Sequence, residues 1–172
     1  MTDSLTIRPA TPADAAVIAI IYNHAVEHTT AIWNDVTVDA GNRVTWMQTR
    51  QDAGFPVMVA VRADTVVGYA SYGPWRAFDG YKATVEHSVY VAPDAQGGGI
   101  GLALMKALIA QARADKLHVM VAGIEAGNAA SIRLHEKLGF QRTALMPQVG
   151  QKFGRWLDLA FLQLVLDGRD AP

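Results

Sequence analysis

Three consecutive glycines, Gly97-Gly98-Gly99, stand between a β-branched and aromatic run, Val89-Tyr90-Val91, and an amphipathic stretch that opens at Ile100. Glycine takes positive φ without steric cost and lets a ligand approach the main chain closely. A strand that turns through such residues directly into a helix leaves several N–H groups converging at the helix N-terminus. Together with the helix dipole, they hold an anion such as a diphosphate. The competing reading is a flexible glycine turn that binds nothing.

The type of nucleotide follows from what is missing. No Gly-Lys-Ser/Thr triplet exists, so the P-loop pattern is absent. The dinucleotide fingerprint would need glycine at position 102, which is Leu102. What remains, Gln96-Gly97-Gly98-Gly99-Ile100-Gly101, is a [RQ]-x-x-G-x-[GA] signature. With it, the chain resembles the GNAT superfamily of acetyltransferases, in which that signature binds the pyrophosphate of coenzyme A. A second segment, Asn128-Ala129-Ala130-Ser131-Ile132-Arg133-Leu134-His135-Glu136-Lys137-Leu138-Gly139-Phe140, is similar to the family's N-x-x-[SA]-x-x-[LF]-[YH]-x-x-x-G-F stretch. The resemblance implies that Asn128 and Ser131 contact the pantetheine arm. Read without it, Asn128 is a helix N-cap and Gly139 a C-cap, and both readings can hold together.

Ile21-Tyr22-Asn23-His24-Ala25-Val26, Glu86-His87-Ser88-Val89-Tyr90-Val91 and Leu134 to Phe140 narrow the likeness to the phosphinothricin/methionine sulfone acetyltransferases. That resemblance runs from Ile7 to about Leu166. It implies acetylation of the α-amino group of a small amino-acid-like molecule, with acetyl-CoA as co-substrate, and a homodimer.

An amine near neutral pH is mostly protonated, so attack on a thioester needs a base, an oxyanion donor and a proton for the leaving thiolate. The chain has no cysteine and no G-x-S-x-G elbow, which leaves direct transfer as the expected route. Glu86, on the strand entering the glycine loop, is the candidate base; its bland alternative is an exposed strand carboxylate. His87 should face the other way, because strand side chains alternate. Ser88, Val89, Tyr90 and Val91 are expected along pantetheine, with the Val89 N–H as an oxyanion donor. His135 stands where many relatives carry a tyrosine acid, with a structural helix-face histidine as rival. Trp75-Arg76-Ala77-Phe78 can close on the acceptor: Arg76 offers a fork for a carboxylate, and Trp75 and Phe78 apolar walls. The same loop could instead rest its aromatics on the core. Glu27, His28 and Thr30 are weaker candidates to border the acceptor, and Tyr81 and Lys82 weaker still. Trp33, Trp46, Phe153 and Trp156 read as core or subunit contact.

With 172 residues, 51% of them hydrophobic, the chain suits one domain over positions 1–172. A formal net charge of −1 and no block of Lys or Arg argue against nucleic acid. No apolar run approaches the ~18 residues of a membrane span, and Met1-Thr2-Asp3-Ser4 has no secretory pattern; a cytoplasmic protein is expected. Five scattered histidines show no ligand spacing, so no metal is implied.

The elements that must carry these residues are legible as periodicities. Leu5 to Arg8 reads as a strand. Thr11-Pro12-Ala13-Asp14 opens a helix that fades near His28, and a second helix covers about Ala40 to Asp52. Pro56 to Arg62 and Val66 to Tyr72 form a hairpin about Ala63-Asp64-Thr65. A loop from Gly73 to Gly80 leads to a strand from Ala83 to Val91. Then come a helix from Ile100 to about Ala114, a strand from His118 to Ile124 and a helix from Ala129 to Leu138. Phe140 to Met146 and Gln151 to Leu166 read as closing strands. The order βααβββαβαββ reads as an α/β sandwich with a mixed sheet; the resemblance implies the GNAT fold, a mixed and mostly antiparallel central sheet flanked by helices.

Overall fold

The structure, a computed structural model, describes residues 4–172; Met1, Thr2 and Asp3, which bear on the secretory reading, lie outside the described residues. The elements follow in the expected order: β1 (Thr6–Pro9), α1 (Ala15–His28), α2 (Ala40–Asp52), β2 (Val57–Arg62), β3 (Thr65–Pro74), β4 (Thr84–Val91), α3 (Ile100–Ala114), β5 (Val119–Glu125), α4 (Ala129–Lys137), β6 (Gln141–Lys152) and β7 (Arg155–Val165). The sheet order is β1-β2-β3-β4-β5-β7-β6. β4 and β5 pair in parallel, whereas β1/β2, β2/β3, β5/β7 and β6/β7 are antiparallel. This is the mixed, mostly antiparallel sheet flanked by helices that the family resemblance implies. Among the described residues, no helix is long and apolar enough to cross a membrane.

The chain divides into two compact units, one built from the residues up to Tyr72 with Ser88–Leu108, the other from Gly73–His87 with Ile109–Pro172. In the first, α1 is anchored by a carboxylate. Asp14 accepts from the Thr11 amide at 2.7 Å and from both terminal nitrogens of Arg8 at 2.8 Å. The Arg8 hydrogen bonds, more than any other influence, hold the Asp14 carboxyl down at about 2. The turn Pro12–Asp14 is 3₁₀, so the α-helix proper starts at Ala15. Ile18, Ile21, Met47, Val57, Val59 and Tyr69 close the core beneath α1 and α2. The β2–β3 turn places Ala63 and Asp64 at φ 47° and 59°, the two left-handed positions whose twist matches a hairpin.

Gly68 decides where α3 can sit. A Cβ there would lie 2.9 Å from the Tyr90 carbonyl oxygen, 3.1 Å from Leu104 Cδ1 and 3.2 Å from Ile100 Cγ2. Only glycine lets the first turns of α3 pack this closely on β3. The glycine loop ahead of Ile100 is thereby held by packing at its helical end.

In the second unit, β5 and β7 pair over seven residues, Val119↔Val165 to Glu125↔Leu159. Met120, Ala122, Ile124 and Leu162 are buried. The final hairpin corrects the expected boundary at Met146 and Gln151. β6 continues to Lys152, and the turn is made by Phe153 and Gly154 at φ 51° and 71°. β6 is an edge strand, where Pro147 removes no needed hydrogen bond. A register shift between Met146 and Gly150 absorbs the irregular segment. β3 likewise runs two residues beyond the expected end at Tyr72.

Candidate active site

The glycine loop starts from β4. Ala92 donates to the Val67 carbonyl at 2.9 Å, and a 3₁₀ turn over Pro93–Ala95 leads to an extended Gln96. Gly97 and Gly99 then take φ of 79° and 75°. Left-handed residues alternating with ordinary ones turn successive N–H groups to one side, the geometry of an anion-binding concavity. The Gly99 carbonyl accepts from the Ala103 amide at 3.0 Å, so α3 starts at the loop itself. Gln96, Gly97, Gly98 and Gly99 are exposed, Gly101 is half-buried in the first turn and Ile100 is fixed in the core. Among the described residues, no atom lies within 4 Å of a Cβ built at Gly97 or Gly99, so these glycines are required by backbone conformation and not by crowding.

One cation beside this loop escaped the sequence reading. A Cβ at Gly98 would lie 3.4 Å from one terminal nitrogen of Arg62 and 3.5 Å from the other. The guanidinium thus sits against the glycines, placed there by the tight β2–β3 turn. A planar, permanently charged fork beside converging amides suits a phosphate. Ser88, Val89, Tyr90 and Val91 precede the loop on β4 and are all half-buried; the Tyr90 ring lies 5.3 Å from that of Tyr69.

In the second unit, Glu86 and His87 occupy opposite faces of β4. Glu86 is in register with Val121 on β5, and its Oε1 would lie 3.0 Å from a Cβ at Gly123. His87 instead meets α4: its Nε2 is 2.9 Å from Nε2 of His135, and the Phe140 ring stands edge-on at 5.8 Å. The imidazole planes differ by 12° with centroids 4.9 Å apart. Centroids that far apart with nitrogens so close put the rings edge to edge, joined by an in-plane hydrogen bond. His135 Nδ1 lies 2.7 Å from the Ser131 carbonyl oxygen, which can only accept. His135 therefore carries its proton on Nδ1, and its Nε2 accepts from His87 Nε2–H. Among the described residues, His87 Nδ1 has no partner and is left as a lone pair sealed from solvent.

Burial, and then repulsion from His135, push His87 down to about 3; burial also lowers His135, against the opposing pull of the Ser131 carbonyl. The unfolded chain, with histidines near 6.5, then binds more protons than the folded one below that pH. Stability should be full above about 6.5 and fall as the pH drops from there toward 3. Denaturant titrations from pH 7.5 to 4 check this: a His87→Asn/His135→Asn variant should show a shallower decline than the wild type.

The expected proton-donor role of His135 meets a specific geometry. The residue is only 1% exposed, and both ring nitrogens are engaged within the protein. Asn128 caps α4, its Oδ1 accepting from the Ser131 amide at 3.1 Å. In the loop after β3, the Arg76 guanidinium stacks over Trp75 at 4.4 Å, and Trp75 meets Phe161 edge to face at 5.3 Å. Phe78 is 78% exposed and stands outside this stack. Glu27 and His28 form an exposed pair at 3.9 Å, Lys82 lines a surface crevice with Lys116 and Arg169, and Tyr81 is exposed. Phe153 and Trp156 are exposed, whereas Trp46 packs on the core.

A strand, a left-handed glycine loop and a helix N-terminus in direct succession are what the signature at 96–101 demands, and comparison with known proteins agrees. The acetyltransferase (GNAT) family profile matches residues 18–140. An L-methionine sulfoximine/L-methionine sulfone acetyltransferase of Salmonella typhimurium is 61% identical over 168 residues, 98% of each chain. A phosphinothricin N-acetyltransferase of Alcaligenes faecalis is 36% identical over 96% of this chain and 84% of its own. An acetyltransferase from Salmonella typhimurium, solved with its cofactor acetyl-CoA, superposes with a TM-score of 0.96 at 60% identity, covering 99% of this chain and 98% of that one. The chain belongs to the GNAT acetyltransferase family, and it is an N-acetyltransferase.

Proposed function

We propose that this enzyme, as one acetyltransferase domain over residues 1–172, moves the acetyl group of acetyl-CoA directly to the α-amino group of a small amino-acid-like acceptor. Methionine sulfone, methionine sulfoximine and phosphinothricin are the expected acceptors. The observation that carries the reading is the pair of left-handed glycines at the head of α3. The names of the similar enzymes from Salmonella typhimurium and Alcaligenes faecalis support the acceptor class.

The main-chain amides of Gln96, Gly97, Gly98, Gly99, Ile100 and Gly101 hold the diphosphate, and β4 from Ser88 to Val91, with Asn128 and Ser131, lines the pantetheine arm. Glu86 removes a proton from the acceptor ammonium. The amine nitrogen then bonds to the acetyl carbon, the carbon–sulfur bond breaks, and the proton that this nitrogen sheds on becoming an amide passes to the leaving thiolate. The Val89 N–H stabilises the oxyanion formed in between. Arg76 pairs with the acceptor carboxylate, with Trp75 and Phe78 as walls and Ser88 at its border; His87, on the face of β4 opposite Glu86, packs on α4 and takes no part in it. His135, buried and with both ring nitrogens engaged, is a packing partner of His87 and gives no proton to the thiolate. No metal enters the scheme.

Release of free thiol from acetyl-CoA across an amine panel tests the reading. Methionine sulfone and phosphinothricin should outpace spermidine and lysine-containing peptides; turnover of only the latter two overturns it. Arg62→Ala should weaken acetyl-CoA binding about 3- to 10-fold, the loss of about one exposed charge-assisted hydrogen bond. Calorimetry at two salt concentrations checks this, because the deficit should shrink at high salt.

The reading also includes a homodimer. Leu145, Met146 and Val149 on edge strand β6, with Phe153 and Trp156, are large apolar side chains left exposed, which supports a partner surface there. Sedimentation equilibrium yielding a single-chain mass would remove it. The compartment that fits this chemistry is the cytoplasm, where acetyl-CoA is available.

A further inference from the structure

A glycine in the middle of a central strand weakens it, and usually marks a place where something must approach the backbone. Gly123 is such a residue: it lies on β5 between buried Ala122 and Ile124, yet is itself exposed. It shares a sheet face with Glu86 and is the register partner of Phe161 on β7. A Cβ at this position would stand 3.0 Å from Glu86 Oε1, 3.5 Å from Phe161 Cε1 and 3.7 Å from Leu159 Cδ1. Phe161 in turn meets Trp75, on which the Arg76 guanidinium stacks. The result is a notch in the sheet floored by bare backbone. A carboxylate lies at one side, an aromatic wall runs along it, and a guanidinium stands beyond.

We propose that Gly123 and Phe161 form the acceptor's side-chain subsite and set its size limit. The amino group lies toward Glu86, the carboxylate toward Arg76, and an unbranched side chain crosses Gly123 against the Phe161 ring. This assignment rests on the amino-acid acceptor reading above and adds to it two residues that select among amino acids. Opposite charges separated by an apolar wall complement a zwitterion better than a polyamine, which would bring a second cation toward Arg76. A side chain branched at its β-carbon would press on the strand at Gly123, so valine and isoleucine should be poor acceptors.

The test is kcat/KM for methionine sulfone, alanine and valine with the wild type, Gly123→Ala and Phe161→Leu, alongside acetyl-CoA affinity by calorimetry. Gly123→Ala, whose Cβ would press on Glu86 Oε1 at 3.0 Å, should lower kcat/KM for every acceptor, and for methionine sulfone at least threefold more than for alanine. Phe161→Leu should act in the opposite sense, raising valine relative to methionine sulfone at least threefold. Acetyl-CoA affinity should stay within twofold in both, and Phe161→Leu decides alone if the alanine variant does not fold. Unchanged acceptor ratios in the variants that fold overturn the subsite. If the wild type acetylates amines of another class instead, the same variants are assayed on that acceptor and a truncated analogue. A shifted ratio there keeps the notch while the amino-acid reading fails, and an unshifted ratio removes both.

Discussion

Gly99→Glu enzyme should show no acetyl-CoA binding by calorimetry, a loss of at least 100-fold, while remaining folded. Two effects add. The position requires φ of 75°, which costs a residue with a Cβ roughly 1–2 kcal/mol. The new carboxylate also stands among amides turned toward an anion, where it competes for their hydrogen bonds and repels the diphosphate. Gly99→Ala separates the two. Among the described residues, a Cβ at Gly99 meets nothing within 4 Å, so alanine carries the backbone strain alone and should weaken binding only about 5- to 10-fold, in line with roughly 1 kcal/mol. The fold should tolerate both changes because the loop is exposed. Equal binding by all three proteins would mean that the loop does not touch the ligand.

Glu86→Gln should lower kcat by about 10²- to 10⁴-fold, the usual contribution of a positioned base, with acetyl-CoA affinity within about twofold of wild type. Glutamine keeps the shape of the side chain beside Gly123 and removes only its ability to take a proton. The deficit should be largest where the acceptor is fully protonated, and should narrow as the pH rises toward the amine's own pKa. A pH–rate profile of both proteins reads this directly. Parallel profiles, or unchanged turnover, would remove Glu86 as the base.

Much of this architecture is written locally in the chain. The helix from Ile100 to Ala114 is set by Ile100, Leu104, Met105 and Leu108, all buried, and its period shows without reference to the rest of the protein. The glycine loop is legible because Gln96 to Gly101 is contiguous. The final hairpin misleads for an equally local reason. The expected strands leave a gap between Met146 and Gln151, whereas the chain turns at Phe153, a bulky residue in a left-handed conformation. An edge strand tolerates Pro147, and only the sheet order reveals that β6 is one.

Other parts of the site depend on residues far apart in sequence. His87 and His135 meet across 48 positions; alone, His135 looks like a candidate acid or a helix-face histidine, and His87 like a strand residue turned away from Glu86. Together they fix one another's tautomer through the Ser131 carbonyl. Arg62 reaches Gly98 only because the two-residue turn returns β3 alongside β2. Gly123 reads as an ordinary strand glycine until Glu86 and Phe161 are seen around it. The alternation that puts Glu86 and His87 on opposite faces was predictable, since β4 is regular and a period of two suffices.

The most direct test compares coenzyme A with pantetheine, which lacks the diphosphate and nucleotide, in parallel calorimetric titrations of the native enzyme. If the amides of residues 96–101 grip the diphosphate, coenzyme A should bind at least 100-fold more tightly, and Gly99→Glu should abolish that difference. Equal affinities for the two ligands, or no association with coenzyme A, would contradict the account.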